Sequence, residues 1–119
     1  PSRIGHGVRS VEDVKLLDYL KSNDIHLEVC PTSNVQTNVI DKIENHPIDK
    51  IYNYGVSMSV NTDARTISNV SLTTEYKLLN KVFKWNLGYF KKCNIEAIKH
   101  SFATNEVKSR LIDLINSSY

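Results

Sequence analysis

The 119-residue chain has little that would mark a secreted, membrane or nucleic-acid-binding protein. Its two cysteines, Cys30 and Cys93, lie far apart in apolar-rich segments, so we expect free thiols in a reducing, cytoplasmic compartment rather than a disulfide. No apolar run approaches the ~20 residues that span a bilayer, and we expect no signal peptide, because the first seven residues are not a charged head followed by an apolar stretch. The net charge is only +2 and basic residues do not cluster, so neither a membrane nor a nucleic acid is an expected partner.

Glycine and proline are scarce as well, with four and three residues, which indicates regular elements joined by short loops. Hydrophobic residues make up 40% of the chain, and this is enough for a folded core. The chain begins at Pro1 without an initiator methionine, inside what is expected to be a structural element. An artificial start and a piece of a longer protein are both open interpretations of that feature.

Hydrophobic periodicity predicts strands that alternate with helices. The first helix is expected from a Ser10 cap to about Ser22–Asp24, and Thr32–Asn34 is expected to be a polar loop. Strands are predicted near residues 3–7, at 25–30 before Pro31, and at 56–60. A helical segment is predicted at 41–54, with a break near His46-Pro47 and an end at Gly55. Three further helices are predicted at 73–83, 87–102 and 105–117.

This alternation predicts an α/β fold with parallel strands. The strand ends fall near Gly7, Cys30 and Asn61, which are 23 and 31 residues apart. A (β/α)8 barrel uses about 31 residues per unit, and an open flavodoxin-like sheet has a similar repeat, so spacing leaves both folds open.

Unusual polar residues follow the predicted strands, and the carboxyl ends of parallel strands share one edge where sites are built. His6 stands between Gly5 and Gly7, where it can act as a general base or contact a metal-bound water, or simply bond backbone carbonyls in a tight turn. Asp63 can ligate a metal or cap the following helix. We expect both residues at the same edge of the sheet.

The remaining candidates have weaker signals. Cys30 precedes Pro31 at a strand end, where a Cys–His pair with His6 is conceivable, although a strand cysteine is more typical of a core. His26, His46 and His100 are expected to be structural or solvent-facing, and for His46 and His100 no carboxylate or cysteine partner is expected at ligand spacing.

Four segments in register resemble the C-terminal part of the adenosine deaminases, a family of the metal-dependent amidohydrolase superfamily. They span essentially the whole chain and are Arg3-Ile4-Gly5-His6-Gly7, Glu28-Val29-Cys30-Pro31-Thr32-Ser33-Asn34, Ser59-Val60-Asn61-Thr62-Asp63 and Asn94-Ile95-Glu96-Ala97-Ile98-Lys99-His100-Ser101-Phe102.

The resemblance implies that residues 1–119 are the C-terminal portion of a single (β/α)8 TIM-barrel domain, about strands six to eight plus the terminal helices. It also implies one zinc ion at the mouth of the barrel. Asp63 matches the aspartate that ligates this zinc and accepts a hydrogen bond from the water bound there. His6 matches a histidine that stays off the metal, helps to deprotonate or orient the water and stabilises the oxyanion at C6 of the purine.

The implied reaction converts adenosine, a small purine nucleoside, to inosine in purine salvage. Ala64 stands where many family members have a second aspartate that contacts the purine ring, so a deaminase of adenine or of another aminopurine nucleoside or nucleotide is the close alternative. The other zinc ligands of the family have no counterpart here, and the chain alone is therefore expected to be inactive. A non-catalytic βαβαβ module that binds a ligand or partner is the alternative from another class.

Overall fold

Three short strands form a parallel sheet in the order β1-β2-β3 in the computed structural model, which describes residues 1–119. The strands are β1 (Arg3–Gly5), β2 (His26–Val29) and β3 (Met58–Val60). Ile4 pairs with Leu27, and Glu28 pairs with Ser59. The α/β prediction is therefore confirmed, and the carboxyl ends of all three strands lie at one edge of the sheet.

Helices supply the connections and cover the sheet. They are α1 (Val14–Ser22), α2 (Pro31–Gln36), α3 (Ile48–Tyr54), α4 (Arg65–Ser68), α5 (Leu72–Phe83), α6 (Leu87–Lys99) and α7 (Asn105–Ser118), with 3₁₀ helices at Val8–Glu12 and Ile43–Asn45. No helix is both long enough and apolar enough to cross a bilayer.

The two faces of the sheet differ because side chains alternate along each strand. One face is apolar and packs in the core with residues of α3, α5 and α6; its members are Leu27, Val29, Met58 and Val60. The other face is polar. There His26 shares hydrogen bonds with Ser57 and Ser59, and Arg3 pairs with Glu28 at 3.5 Å. Helices thus cover the apolar face, while Glu96 near the end of α6 and His100 just after it contact the polar face.

Trp85 lies at the centre of the helix layer and has no exposed surface. Its indole N–H donates to Asp49 at 2.7 Å, and its ring stacks on Tyr89 with centroids 5.1 Å apart. Burial of an aromatic side chain of this size contributes about 1.5–3 kcal/mol. Trp85 and Tyr89 thus pack in the core.

The first α-helix does not begin at Ser10, as predicted, because a separate 3₁₀ helix precedes it. A 3₁₀ helix occupies Val8–Glu12, and α1 begins after Asp13, whose carboxylate accepts from the backbone N–H of Lys15 at 2.9 Å. Ser10 instead donates its hydroxyl to the carbonyl of Gly7 at 2.6 Å. The cap prediction failed because both residues are good caps and the choice depends on the turn before them.

The predicted loop over Thr32–Asn34 is also wrong, because these residues form the first turns of α2. Pro31 occupies the first helical position, where its missing N–H costs nothing. In addition, α6 ends at Lys99, three residues before the predicted end at Phe102, and the short helix α4 was not predicted. The formation of α2 has the larger consequence, since it directs side chains over the carboxyl edge of the sheet.

Candidate metal and catalytic site

His6 and Asp63 meet at the carboxyl-terminal edge of the sheet, although they follow the two outer strands. Nε2 of His6 lies 3.6 Å from Oδ2 of Asp63, and each side chain is 43% exposed. The backbone N–H of His6 donates to the carbonyl of Glu28 at 2.8 Å, which continues the sheet pairing past β1. The expectation that both residues share one edge therefore agrees with the geometry, and both side chains are open to a ligand.

Both residues adopt backbone angles that L-residues rarely use. His6 and Asp63 each have φ of 59°, in the left-handed region. The other four non-glycine residues in this region, Asp24, Asn38, Asn69 and Lys84, all lie at or just after the C-terminal end of a helix, where a left-handed cap is common. His6 instead follows β1 directly and Asp63 lies three residues after the end of β3, and backbone strain of this kind is concentrated at functional sites.

The carboxylate of Asp63 is held by the first turn of α2. The Ser33 hydroxyl donates to Oδ2 at 2.8 Å, whereas Oδ1 makes no hydrogen bond. The cap of α4 is Ala64 and no side chain caps that helix. The alternative of Asp63 as a helix cap is therefore wrong, and one oxygen of this carboxylate is available to a metal or a water molecule.

The next residue of α2 contacts the histidine. The amide nitrogen of Asn34 lies 3.2 Å from Nδ1 of His6, and Asn34 itself is buried. The central strand thus delivers two adjacent side chains, Ser33 and Asn34, to the residues that follow the two outer strands. These contacts were not predicted from the sequence; Pro31, the favoured first residue of a helix, was the signal that could have indicated them.

A buried carboxylate helps to fix the start of α2. Oε2 of Glu75, on α5, accepts from the backbone N–H of Thr32 at 3.3 Å, while Oε1 has no partner. Burial raises the pKa of this carboxyl group above its ordinary value. Glu75 acts as a cap supplied by another helix, because Cys30 provides none. Sequence periodicity had marked Glu75 only as part of a helix.

Cys30 is the third potential donor at this edge. Its sulfur lies within 4.8 Å of the ligand atoms of His6 and Asp63. Burial, reinforced by the negative charge of Asp63, raises the pKa of the Cys30 thiol to about 12. The group is therefore a neutral thiol near pH 7, and this high pKa disfavours a Cys30–His6 nucleophilic pair although the two side chains are close.

An open cavity of about 440 Å³ lies beside these groups. Its lining combines polar residues, among them His6, Asp63, Ser33 and Asn34, with apolar residues such as Leu27. This volume falls in the range of small-molecule sites. A compact ligand placed here would contact the two strand-end residues and an apolar wall together.

The other three histidines lie away from this cavity's lining. His26 bonds Ser57 and Ser59, and burial lowers its pKa to about 4. His100 lies at the opposite edge of the sheet, with Nε2 3.2 Å from Asp24 and its ring stacked on His26 at 4.7 Å. The prediction that no carboxylate lies at ligand spacing from His100 is wrong, because Oε2 of Glu96, four residues earlier, lies 3.9 Å from Nδ1 of His100. Asp24 is a second carboxylate partner, distant in sequence but adjacent in space.

His46 is buried beside the site and not part of it. Its Nε2 lies 2.9 Å from the amide oxygen of Asn34, and its Nδ1 accepts from the backbone N–H of Ile48 at 3.0 Å. Burial lowers the pKa of His46 to about 4, so the ring is neutral near pH 7. The structural role predicted for His46 agrees with these contacts.

Comparison with known proteins adds a family to this geometry. The family model for adenosine deaminase matches residues 1–118. The adenosine deaminase of Clostridium acetobutylicum is 41% identical over 110 residues, which cover 92% of this chain and 33% of that protein. The chain thus spans about a third of the length of the curated relatives it matches.

Solved structures agree in fold. The adenine deaminase from Arthrobacter aurescens superposes with a TM-score of 0.94 at 28% identity, over 98% of this chain and 36% of that one. The N6-methyl-AMP deaminase from Arabidopsis thaliana gives 0.86 at 30% identity, over 99% and 34%. The fold therefore matches about a third of a TIM-barrel protein of the amidohydrolase superfamily.

Proposed function

The chain belongs to the adenosine deaminase family, and we propose that the protein containing it is a zinc-dependent hydrolase that converts adenosine to inosine. Within that protein, residues 1–119 would supply strands six to eight and the terminal helices of a single barrel domain. The free thiols of Cys30 and Cys93 fit the cytoplasmic location proposed with this function.

One observation carries the proposal: His6 and Asp63 are 3.6 Å apart at the edge where α/β folds build sites. Neither residue is needed there by the fold. Both side chains are partly exposed, both follow strands with left-handed backbone angles, and Asp63 caps no helix. An arrangement that strains two backbones to juxtapose an imidazole and a carboxylate favours catalysis over packing.

The donor set fits a zinc ligand at Asp63. Its Oδ1 is free of hydrogen bonds, and its Oδ2 is oriented by Ser33, as expected for a ligating carboxylate with a supporting hydrogen bond. One carboxylate does not hold zinc alone, so the remaining ligands would come from other parts of the protein. Zinc, when bound, would supply a water molecule whose pKa is lowered from 15.7 to about 7.

In the proposed reaction, water adds to C6 of the purine and ammonia leaves. His6 would contact the attacking oxygen through Nε2, orient it or move its proton, and stabilise negative charge as it develops on that oxygen or the ring. Asp63 would accept a hydrogen bond from the same water. The open cavity beside them would hold the purine against its apolar residues, with C6 near His6 and Asp63.

Adenosine is the proposed substrate because the curated relative with 41% identity is an adenosine deaminase. Structural neighbours at 28% and 30% identity act on adenine and N6-methyl-AMP, so another aminopurine is the second candidate. Ala64 favours a purine that is bound differently from the way adenosine is bound in family members with aspartate at this position, because an alanine side chain cannot hydrogen-bond the purine ring. A substrate panel on the intact protein, repeated with Ala64→Asp, would separate these candidates.

The decisive test uses variants of the intact protein. Asp63→Ala should abolish activity and lower bound zinc well below one per chain, and His6→Ala should cut kcat by 10²-fold or more, about the effect of a general acid–base group, with zinc retained. Asp113→Asn, an exposed acid on α7, serves as the matched control and should change neither quantity. Normal zinc and activity in Asp63→Ala would refute the assignment.

The isolated 119-residue chain is expected to be inactive and to bind no stoichiometric zinc, because it would supply a single metal ligand. Metal analysis and a deaminase assay of the purified chain test this. Activity in the isolated chain would contradict the proposed division of the site. A monomer with a small molecule in the cavity and no activity in the intact protein would favour the non-catalytic module.

A further inference from the structure

The side chain of Asn34 connects two histidines that have very different surroundings. Its amide nitrogen lies 3.2 Å from Nδ1 of His6, and its amide oxygen lies 2.9 Å from Nε2 of His46. Asn34 is 2% exposed and His46 is 3% exposed, whereas the His6 side chain is 43% exposed. The buried residues Asn34 and His46 therefore hold the Nδ1 side of the His6 ring, while His6 also lines the cavity.

The direction of each hydrogen bond follows from the one group that can only donate. The backbone N–H of Ile48 donates to Nδ1 of His46 at 3.0 Å, so this nitrogen carries no proton. A neutral imidazole without a proton on Nδ1 has it on Nε2. Nε2 of His46 therefore donates to the oxygen of Asn34, which turns the amide NH₂ of Asn34 toward His6.

The same logic continues to the catalytic ring. Because Asn34 presents N–H to His6, Nδ1 of His6 must accept, and the proton of the neutral ring is on Nε2. Nε2 is the atom that lies 3.6 Å from Oδ2 of Asp63. A flipped amide would set the NH₂ of Asn34 against the N–H of His46, leaving buried donors unpaired at about 1–3 kcal/mol each.

We propose that Asn34 and His46 are positioning residues that hold His6 in the Nε2–H tautomer with this proton directed into the site. The inference rests on the proposed function, in which His6 acts on the attacking water or the developing oxyanion. It assigns neutral His6 as a hydrogen-bond donor at Nε2, so in this form the ring would orient the water or stabilise the oxyanion and would not take the proton of the water through Nε2. It also gives a role to the His46-Pro47 sequence, which separates α3 from the preceding 3₁₀ helix and places His46 in contact with Asn34.

The first test needs no substitution. In the intact protein with ¹⁵N-labelled histidine, long-range ¹H–¹⁵N correlation spectra distinguish protonated from unprotonated ring nitrogens. We expect an unprotonated Nδ1 and a protonated Nε2 for His6, and the same tautomer for His46. A protonated Nδ1 on neutral His6 would overturn the proposal, whatever the activity of the protein.

Variants then test the connection. Asn34→Ala and His46→Phe should mix the His6 tautomers and lower kcat by about 10- to 100-fold, the range for supporting residues, with KM changed less than threefold. His46→Gln keeps an N–H near the position of Nε2 and should restore most of kcat. His26→Gln is the matched control, because His26 is an equally buried neutral histidine without contact to the site.

A double-variant comparison separates this proposal from the proposed function. In the His6→Ala background, Asn34→Ala should lower kcat no further, because its effect acts through the missing ring. An undiminished effect in that background, or an unchanged tautomer in folded Asn34→Ala, would refute the positioning role. Full activity in His6→Ala would instead refute the proposed role of His6, and the spectra would still decide the tautomer.

Discussion

Gly7 should tolerate no side chain, for two reasons that can be measured separately. Its φ is +69°, and a Cβ built there would lie 2.7 Å from Cδ2 of Leu27, a core residue with no exposed surface. The left-handed angle costs an alanine about 1–2 kcal/mol. Relief of the overlap in a packed core costs about 1–3 kcal/mol more. Gly7→Ala should therefore lower the free energy of unfolding by about 2–5 kcal/mol.

Gly5 provides a matched control on the other side of His6. A Cβ at Gly5 meets nothing within 4 Å, and its φ lies outside the left-handed region. Gly5→Ala should change stability by no more than about 0.5 kcal/mol. Urea unfolding of the intact protein, followed by fluorescence and fitted by linear extrapolation, measures both substitutions.

The overlap can be isolated with Leu27→Ala as a second background. Without the leucine methyl groups, only the backbone cost of Gly7→Ala should remain, about 1–2 kcal/mol. Equal costs for Gly5→Ala and Gly7→Ala would refute the argument. A cost for Gly7→Ala that is the same in both backgrounds would refute the contact with Leu27 and leave the backbone angle as the cause.

Three further predictions concern groups outside the reaction. The pKa of His46 is about 4 in the folded chain against about 6.5 unfolded, so the unfolded state binds more protons between these values, and His46 alone should lower stability by about 2 kcal/mol from pH 7 to 5; His26, with a similar pKa, should add a similar amount. His46→Gln should lack only the His46 part of the slope, and a slope equal to that of the unchanged protein would contradict the pKa of His46. Cys30 and Cys93, both with thiol pKa near 12, should react with iodoacetamide at pH 8 only on unfolding, as mass spectrometry would show; rapid native labelling would disprove this. Ser71→Ala removes the capping box of α5 and should cost about 1 kcal/mol in urea unfolding without changing kcat; a loss of kcat would contradict a purely structural role.

Much of the fold follows from local pattern. Apolar alternation predicted the strand that ends at Val60, and three- to four-residue spacing predicted the helices that end at Phe83 and near Ser118. The position of His6 and Asp63 at one edge followed from parallel topology alone. These features depend on residues close in sequence, where periodicity and chain direction leave few alternatives.

The supporting contacts were not predictable in this way. His46 is 12 residues from Asn34, and His100 is 76 residues from Asp24, so neither pair has a spacing signal. The polar segment Thr32–Asn34 has no hydrophobic period, yet it is helical because Pro31 starts a turn that Glu75 completes from another helix. Tertiary hydrogen bonds determined these elements, and a single sequence does not record tertiary partners.

The adjacency of Ser33 and Asn34 on α2 limits how this site can be altered. One turn of helix orients the carboxylate through the serine and the imidazole through the asparagine. Insertion of one residue before them would rotate both by about 100° and release both contacts together. The carboxylate and the imidazole therefore cannot be adjusted independently: a change in α2 that alters the orientation of one must preserve the helical geometry that orients the other.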